Sequence, residues 1–167
     1  VESIPLIASS IMSKKIAEGI EALVLDVKCG RGAFMKTRDE ARRVAELLVA
    51  IAKANQVRTW ALVTAKDVPL GRAVGNSIEV IESIETLKGK GPADLETLSV
   101  MLAAHMLALA GDGLEEAETK VRSALTSGSG LEKFRQIIER QGGDPRVIDD
   151  YRHLPKAPHT AVVRAQR

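Results

Sequence analysis

The chain has 167 residues, with 24 Lys+Arg against 22 Asp+Glu, a formal charge of +2, 45% hydrophobic and 28% charged residues. That length suits one domain with a sizeable core, and the composition excludes intrinsic disorder. Four aromatics (Phe34, Trp60, Phe134 and Tyr151) and a near-neutral charge argue against nucleic-acid binding by base stacking or by charge. One cysteine, Cys29, excludes an internal disulfide and a Cys-based zinc cluster within these residues. No apolar run is read as approaching a membrane span, and no signal peptide is recognised. The expectation is a soluble, cytoplasmic piece without a membrane or nucleic-acid partner.

In chain order, Ser3 can cap a first helix, Pro5 is tolerated in its first turn, and Ile4, Ile7, Ala8, Ile11 and Ile16 form an apolar stripe. Gly19 weakens its end. Residues 22–27 form a short β-rich run, followed by a loop over 28–35 with two glycines, Gly30 and Gly32. Thr37 and Glu40 have capping-box spacing, and the helix they open runs to about Asn55. Residues 57–63 predict a second strand, and residues 64–75 a loop. Further helices are predicted over 77–87, 93–110, 113–127 and 131–141, with a short turn over 145–151. Residues 152–159, with two prolines, read as a linker. Residues 161–167 look like the beginning of another strand.

This alternation predicts an α/β fold: a partial parallel or mixed sheet flanked by helices, with a helix-rich second half. Two strands are too few for a complete doubly wound sheet. With Val1 in place of a methionine, both ends read as cuts through something longer, so an incomplete domain is expected.

Ligands of open parallel sheets bind beyond the carboxyl ends of the strands, where the loops after residues 27 and 63 fall. Gly30 and Gly32 would let the backbone approach a ligand, or simply make a tight turn; neither a dinucleotide fingerprint nor a P-loop is present. Ser10 and Lys14, at i and i+4, share a helix face with Ile7 and Ile11 and could bind carbonyl oxygens, although a solvated surface has the same spacing. Glu79, Glu82 and Glu85 recur every third residue; one could hold a cation, or all could be solvated. His105 reads as structural. Cys29 has no evident base to make it a nucleophile.

Four segments taken together resemble the thymidine and pyrimidine-nucleoside phosphorylase family. They are residues 3–15 (SIPLIASSIMSKK), 25–35 (LDVKCGRGAFM), 69–80 (PLGRAVGNSIEV), and Glu132-Lys-Phe134 with residues 141–147 (QGGDPRV). The resemblance implies a pentosyltransferase that reversibly cleaves pyrimidine nucleosides with phosphate as co-substrate. It also implies a homodimeric parent with its site in the cleft between a helical and an α/β domain. On this reading residues 1–151 are the second half of the central α/β domain, and residues 152–167 are a linker and the start of a C-terminal α+β domain.

Position by position, the resemblance makes Ser10 and Lys14 pyrimidine ligands, with Lys14 the candidate for stabilising the leaving base. Ile7, Ile11 and Phe34 become the apolar lining, and Leu70, Ala73 and Glu82 a monovalent-cation (K+) site. The family's Gly-rich phosphate signature and an Arg ahead of the Ser10 helix have no counterpart in these 167 residues, so the isolated chain is expected to be inactive. Cys29 and Arg31 depart from the small residues of that loop, and Arg31 adds charge near the base pocket. A nucleoside-monophosphate (AMP) phosphorylase of the same family and a non-catalytic binding or scaffold module are the alternatives.

Overall fold

The computed structural model describes residues 3–165. Its elements are helix α1 (Ile4–Ala17), strand β1 (Ala22–Cys29), helix α2 (Arg38–Ala54), strand β2 (Arg58–Ala65), and helices α3 (Asn76–Leu87), α4 (Ala93–Ala110), α5 (Leu114–Thr126) and α6 (Ser129–Arg140). Two 3-10 turns follow, Pro145–Ile148 and Tyr151–His153. The α/β order and the helix-rich second half match the sequence reading.

β1 and β2 pair in parallel from Ala22 opposite Arg58 to Cys29 opposite Ala65. Both strands run two residues further than the apolar pattern indicates. Lys28 ends the apolar run in sequence, but the ladder continues because its charge is met across the sheet. Lys28 Nζ lies 2.6 Å from Asp26 Oδ2 and donates to Thr64 Oγ1 at 3.0 Å, while the Thr64 hydroxyl also hydrogen-bonds the Asp26 carboxylate.

The crossover α2 starts where the capping box places it. Thr37 accepts from the Glu40 amide, and the Glu40 side chain accepts from the amides of Thr37 and Lys36. These amides hold the Glu40 carboxyl below its usual range. One face of α2 carries Ala41, Val44, Ala45, Leu48 and Ala52, and it packs with Ala8 and Met12 of α1 and Val27 of β1 in the main buried cluster. The alanines let the helix approach the sheet closely, and Leu48, 2% exposed, fills the centre.

On the opposite face lies α4. Trp60 of β2 meets His105 of α4 edge-on, with ring centroids 5.3 Å apart, and Arg58 Nη1 donates to the Leu109 carbonyl at 2.7 Å, satisfying one of the free carbonyls at the helix end. His105 itself is structural, as expected: its Nδ1–H donates to the Met101 carbonyl at 2.7 Å.

One sequence expectation is corrected by α4. The helix spans 18 residues with mean hydropathy 1.4, long and apolar enough by length and composition to cross a membrane. Here it packs against β1, β2 and α5. Only Val100, Ala104 and Leu109 of it are buried.

A second cluster, Ile84, Val147 and Ile148, joins α3 to the 3-10 turns and packs against Phe134 and Ile138 of α6. It is reinforced by Lys88, which donates to the Ile148 carbonyl at 2.8 Å and to the Tyr151 hydroxyl at 3.0 Å; that hydroxyl also bonds Glu85. The Tyr151 hydrogen bond lowers the Glu85 pKa and raises that of Lys88, while burial raises that of Tyr151.

Tyr151–His153 is a turn, so regular structure extends two residues into the segment from Arg152 that the sequence reads as a linker. Its first part is tethered by Ser77, whose hydroxyl donates to the Pro155 carbonyl at 2.7 Å. Residues 161–165 form no strand, since no other segment among the described residues offers them a ladder; residues 166 and 167 of that expected strand lie outside the described residues, as does Val1.

Two consequences are measurable. Leu48→Ala should destabilise the chain by about 2–5 kcal/mol in urea unfolding followed by circular dichroism, from lost burial and the cavity left behind. The Arg146 guanidinium, aided by the Arg146 amide, lowers the Asp144 carboxyl from 3.8 to about 2. Its contribution to the turn is therefore present above the ordinary Asp range and lost as pH falls through about 2. A carboxyl-carbon NMR titration of Asp144 should show that midpoint, and Arg146→Ala should move it up towards 3.8.

Candidate functional site

Parallel pairing brings the β1–α2 loop and the β2–α3 loop out at the same sheet edge. They dock directly on each other. The Gly32 amide donates to the Lys66 carbonyl at 2.7 Å, the Lys66 amide to the Cys29 carbonyl at 2.7 Å, and the Arg31 amide to Asp67 Oδ1 at 3.0 Å. A Cβ on Gly32 would lie 2.8 Å from the Lys66 carbonyl oxygen, and one on Gly30, whose φ is +131°, would lie 2.8 Å from Asp67 Oδ1. The two glycines thus serve a loop–loop contact. The Arg31 guanidinium lies 3.9 Å from the same Asp67 carboxylate, on the side of the β2 loop and away from the lining of the cavity beside α1.

That cavity, about 590 Å3, opens between α1, α2, β1 and the glycine loop. Ile7 and Ile11 of α1 and Phe34 of the loop line it, beside Met35, Lys36 and Lys66. Three of the five base-site residues expected from sequence therefore meet at one place. Ser10 and Lys14 stand on the same helix, exposed and outside the lining. Lys14 forms no ion pair among the described residues. Phe34 is 81% exposed, with the larger cavity on one side and a smaller one of about 210 Å3, lined also by Ile4 and Ile7, on the other. An apolar slot with lysines among its lining residues suits a flat heterocycle carrying carbonyl oxygens.

The β2–α3 loop is organised by carboxylates. Asp94 of α4 accepts from the Gly71 amide at 3.1 Å, Glu82 Oε1 from the Arg72 and Ala73 amides at 2.9 and 3.1 Å, and Glu79 from the Gly75 amide at 2.9 Å. The Gly71 bond lowers the Asp94 pKa. Gly71, at φ +72°, sits so close to Glu82 that any Cβ there would overlap the carboxylate. The three regularly spaced glutamates thus have three tasks: Glu79 closes the start of α3, Glu82 gathers the loop, and Glu85 holds Tyr151.

Glu82 Oε2 accepts no hydrogen bond among the described residues, and a carboxylate oxygen is the donor type a hard monovalent cation prefers. No group of three His, Cys, Asp or Glu side chains able to hold a metal occurs among the described residues.

Sequence reasoning missed the Asp26–Lys28–Thr64 cluster, the contact of Lys66 and Asp67 with the glycine loop, and Asp94. The i, i+2 placement of Asp26 and Lys28 on a strand was a usable signal, because it puts both on one sheet face. Nothing local pairs Asp94 with Gly71, 23 residues away.

The α/β fold is consistent with a glycosyltransferase domain: residues 1–131 match the family described as "Glycosyl transferase family, a/b domain", and the chain belongs to it. Among curated proteins it is 48% identical over 168 residues to the pyrimidine-nucleoside phosphorylase of Bacillus subtilis (strain 168), covering 99% of this chain and 39% of that protein. It is also 48% identical over 169 residues to the pyrimidine-nucleoside phosphorylases of Staphylococcus aureus strains USA300 and NCTC 8325, covering 100% of this chain and 39% of each relative. The chain thus spans well under half the length of these relatives.

Gly32→Ala tests the loop–loop contact. The added methyl would press on the Lys66 carbonyl, and a loss of about 1–3 kcal/mol is expected in urea unfolding.

Proposed function

We propose that this chain provides the pyrimidine-binding part of a pyrimidine-nucleoside phosphorylase, a pentosyltransferase that converts a nucleoside and phosphate into a free base and a pentose 1-phosphate. The carrying observation is the cavity where Ile7, Ile11 and Phe34 converge beside the helix bearing Ser10 and Lys14. The identity of 48% to relatives of that name supports the same reading.

As the glycosidic bond breaks, negative charge grows on the departing pyrimidine. The Lys14 ammonium and Ser10 hydroxyl, placed near its carbonyls, interact with that charge more strongly than with the neutral base of the intact nucleoside. Ile7, Ile11 and Phe34 hold the ring flat and exclude water from it. Phosphate is the co-substrate, bound by residues outside those described here. A monovalent cation such as K+, held by the Leu70 and Ala73 carbonyls and Glu82, would brace the β2–α3 loop and supply no chemistry to the bond being broken. Residues 1–151 act as part of the central α/β domain of a homodimeric, cytoplasmic enzyme of nucleoside salvage, and residues 152–167 lead into a further domain.

Uracil titrated into the 167-residue chain should shift the NMR resonances of Ile7, Ile11 and Phe34. Lys14→Ala should weaken that binding about tenfold or more, as loss of a charge-assisted hydrogen bond predicts. The chain alone should show no phosphate-dependent cleavage of uridine or thymidine by chromatography. Shifts confined to other residues, or turnover by the isolated chain, would contradict the assignment.

A further inference from the structure

Phe34 is the most exposed of the large hydrophobic residues lining the candidate base cavity, so something other than burial must set its position. It occupies a loop that begins at Gly30, where the chain adopts a conformation open mainly to glycine, and closes where Gly30 donates to the Met35 carbonyl at 3.0 Å. Within this ring of backbone lies one ammonium. Lys36 Nζ donates to the Arg31 carbonyl at 3.0 Å and to the Ala33 carbonyl at 2.7 Å. The Lys36 amide donates at 2.8 Å to Glu40, the same carboxylate that closes the capping box of α2.

The lysine therefore ties the Arg31 and Ala33 carbonyls to the rigid start of a 17-residue helix. Its side chain also lines both cavities that flank Phe34. Without it, the amides of Arg31 and Gly32 would still hold the near side of the loop to Asp67 and Lys66, but the Ala33–Phe34 side would keep only the Ala33 amide bond to the Gly30 carbonyl and the Gly30 amide bond to the Met35 carbonyl.

We infer that Lys36 is a positioning residue: it fixes the glycine loop so that Phe34 stands between the two cavities as a wall of the base site. The role in binding rests on the pyrimidine reading of that site; the role in the loop does not. Its cation is directed at backbone carbonyls, so it acts on the base through Phe34, unlike Lys14.

The test uses the 167-residue chain with Lys36→Met, Lys36→Arg and Phe34→Ala. Amide hydrogen exchange of residues 31–34 should accelerate about tenfold in Lys36→Met while α2 and the strands keep their protection, and Lys36→Arg should restore part of it. Uracil affinity should fall about fivefold in Lys36→Met but show no further fall when the substitution is made in Phe34→Ala, because a residue acting only through Phe34 has nothing left to position. Lys36→Gln, which keeps a donor, serves the same comparison if Lys36→Met does not fold.

Unchanged loop exchange in Lys36→Met overturns the inference. So does an equal loss of affinity with and without Phe34, which would mark Lys36 as contacting the base itself. Accelerated loop exchange in a wild-type background that binds no uracil would support the positioning of the loop while overturning the pyrimidine reading.

Discussion

Two parallel strands in register must finish at the same edge, and everything at the candidate site follows from that. Cys29 stands opposite Ala65, so the two loops leave the sheet at one level and have to share the space above it. Gly32 can meet the Lys66 carbonyl only because it lacks a side chain, and Gly30 can turn towards Asp67 only because its backbone tolerates positive φ. Once the loops are joined, the β1–α2 loop has a fixed height. Phe34 then faces the isoleucines of α1 instead of extending into solvent at random. The crossover helix completes the enclosure from the other side, with Val44 and Leu48 reaching both the core and the cavity floor.

Charges at this edge bind backbone more than they bind one another. Lys36 takes two carbonyls, Glu82 two amides, Asp94 and Glu79 one amide each, and Glu40 two. A loop has no ladder to satisfy its peptide groups, and each charged side chain here substitutes for the missing partner. Such bonds order a loop without burying it, which suits a binding edge that ligands must reach. Lys14 is different, since no carboxylate among the described residues pairs with it and it lies on the helix that carries Ile7 and Ile11.

The apolar helix α4 shows how the same composition can mean opposite things. Its 18 residues could cross a bilayer by length and hydropathy, yet its neighbours are a sheet, a helix and two polar fastenings, Arg58 at one end and Asp94 at the other. Both fastenings join residues far apart in sequence, and no window of local hydropathy contains them.

The sequence by itself determined the helices, the two strands, the capping box at Thr37 and Glu40, and the strip of Ile7, Ser10, Ile11 and Lys14, because each depends on spacing within one element. It also carried the resemblance, which rests on short motifs. It stopped β1 at Val27, since the pattern of apolar residues ends there, whereas the ladder runs on through Lys28 once Asp26 pairs with its ammonium and Thr64 accepts a hydrogen bond from it. Only the tertiary structure decided that Gly30 and Gly32 serve a loop–loop contact, that the three glutamates of α3 have separate partners, and that Lys36 binds the Arg31 and Ala33 carbonyls. It also placed Ile7, Ile11 and Phe34 around one cavity and left Ser10 and Lys14 exposed on α1, outside its lining. Most of those contacts join segments separated in the chain, and even the short-range grip of Lys36 depends on the loop's closed shape. The parallel pairing of β1 with β2 and the packing of α1 against α2 set those distances, and local sequence pattern holds no record of them.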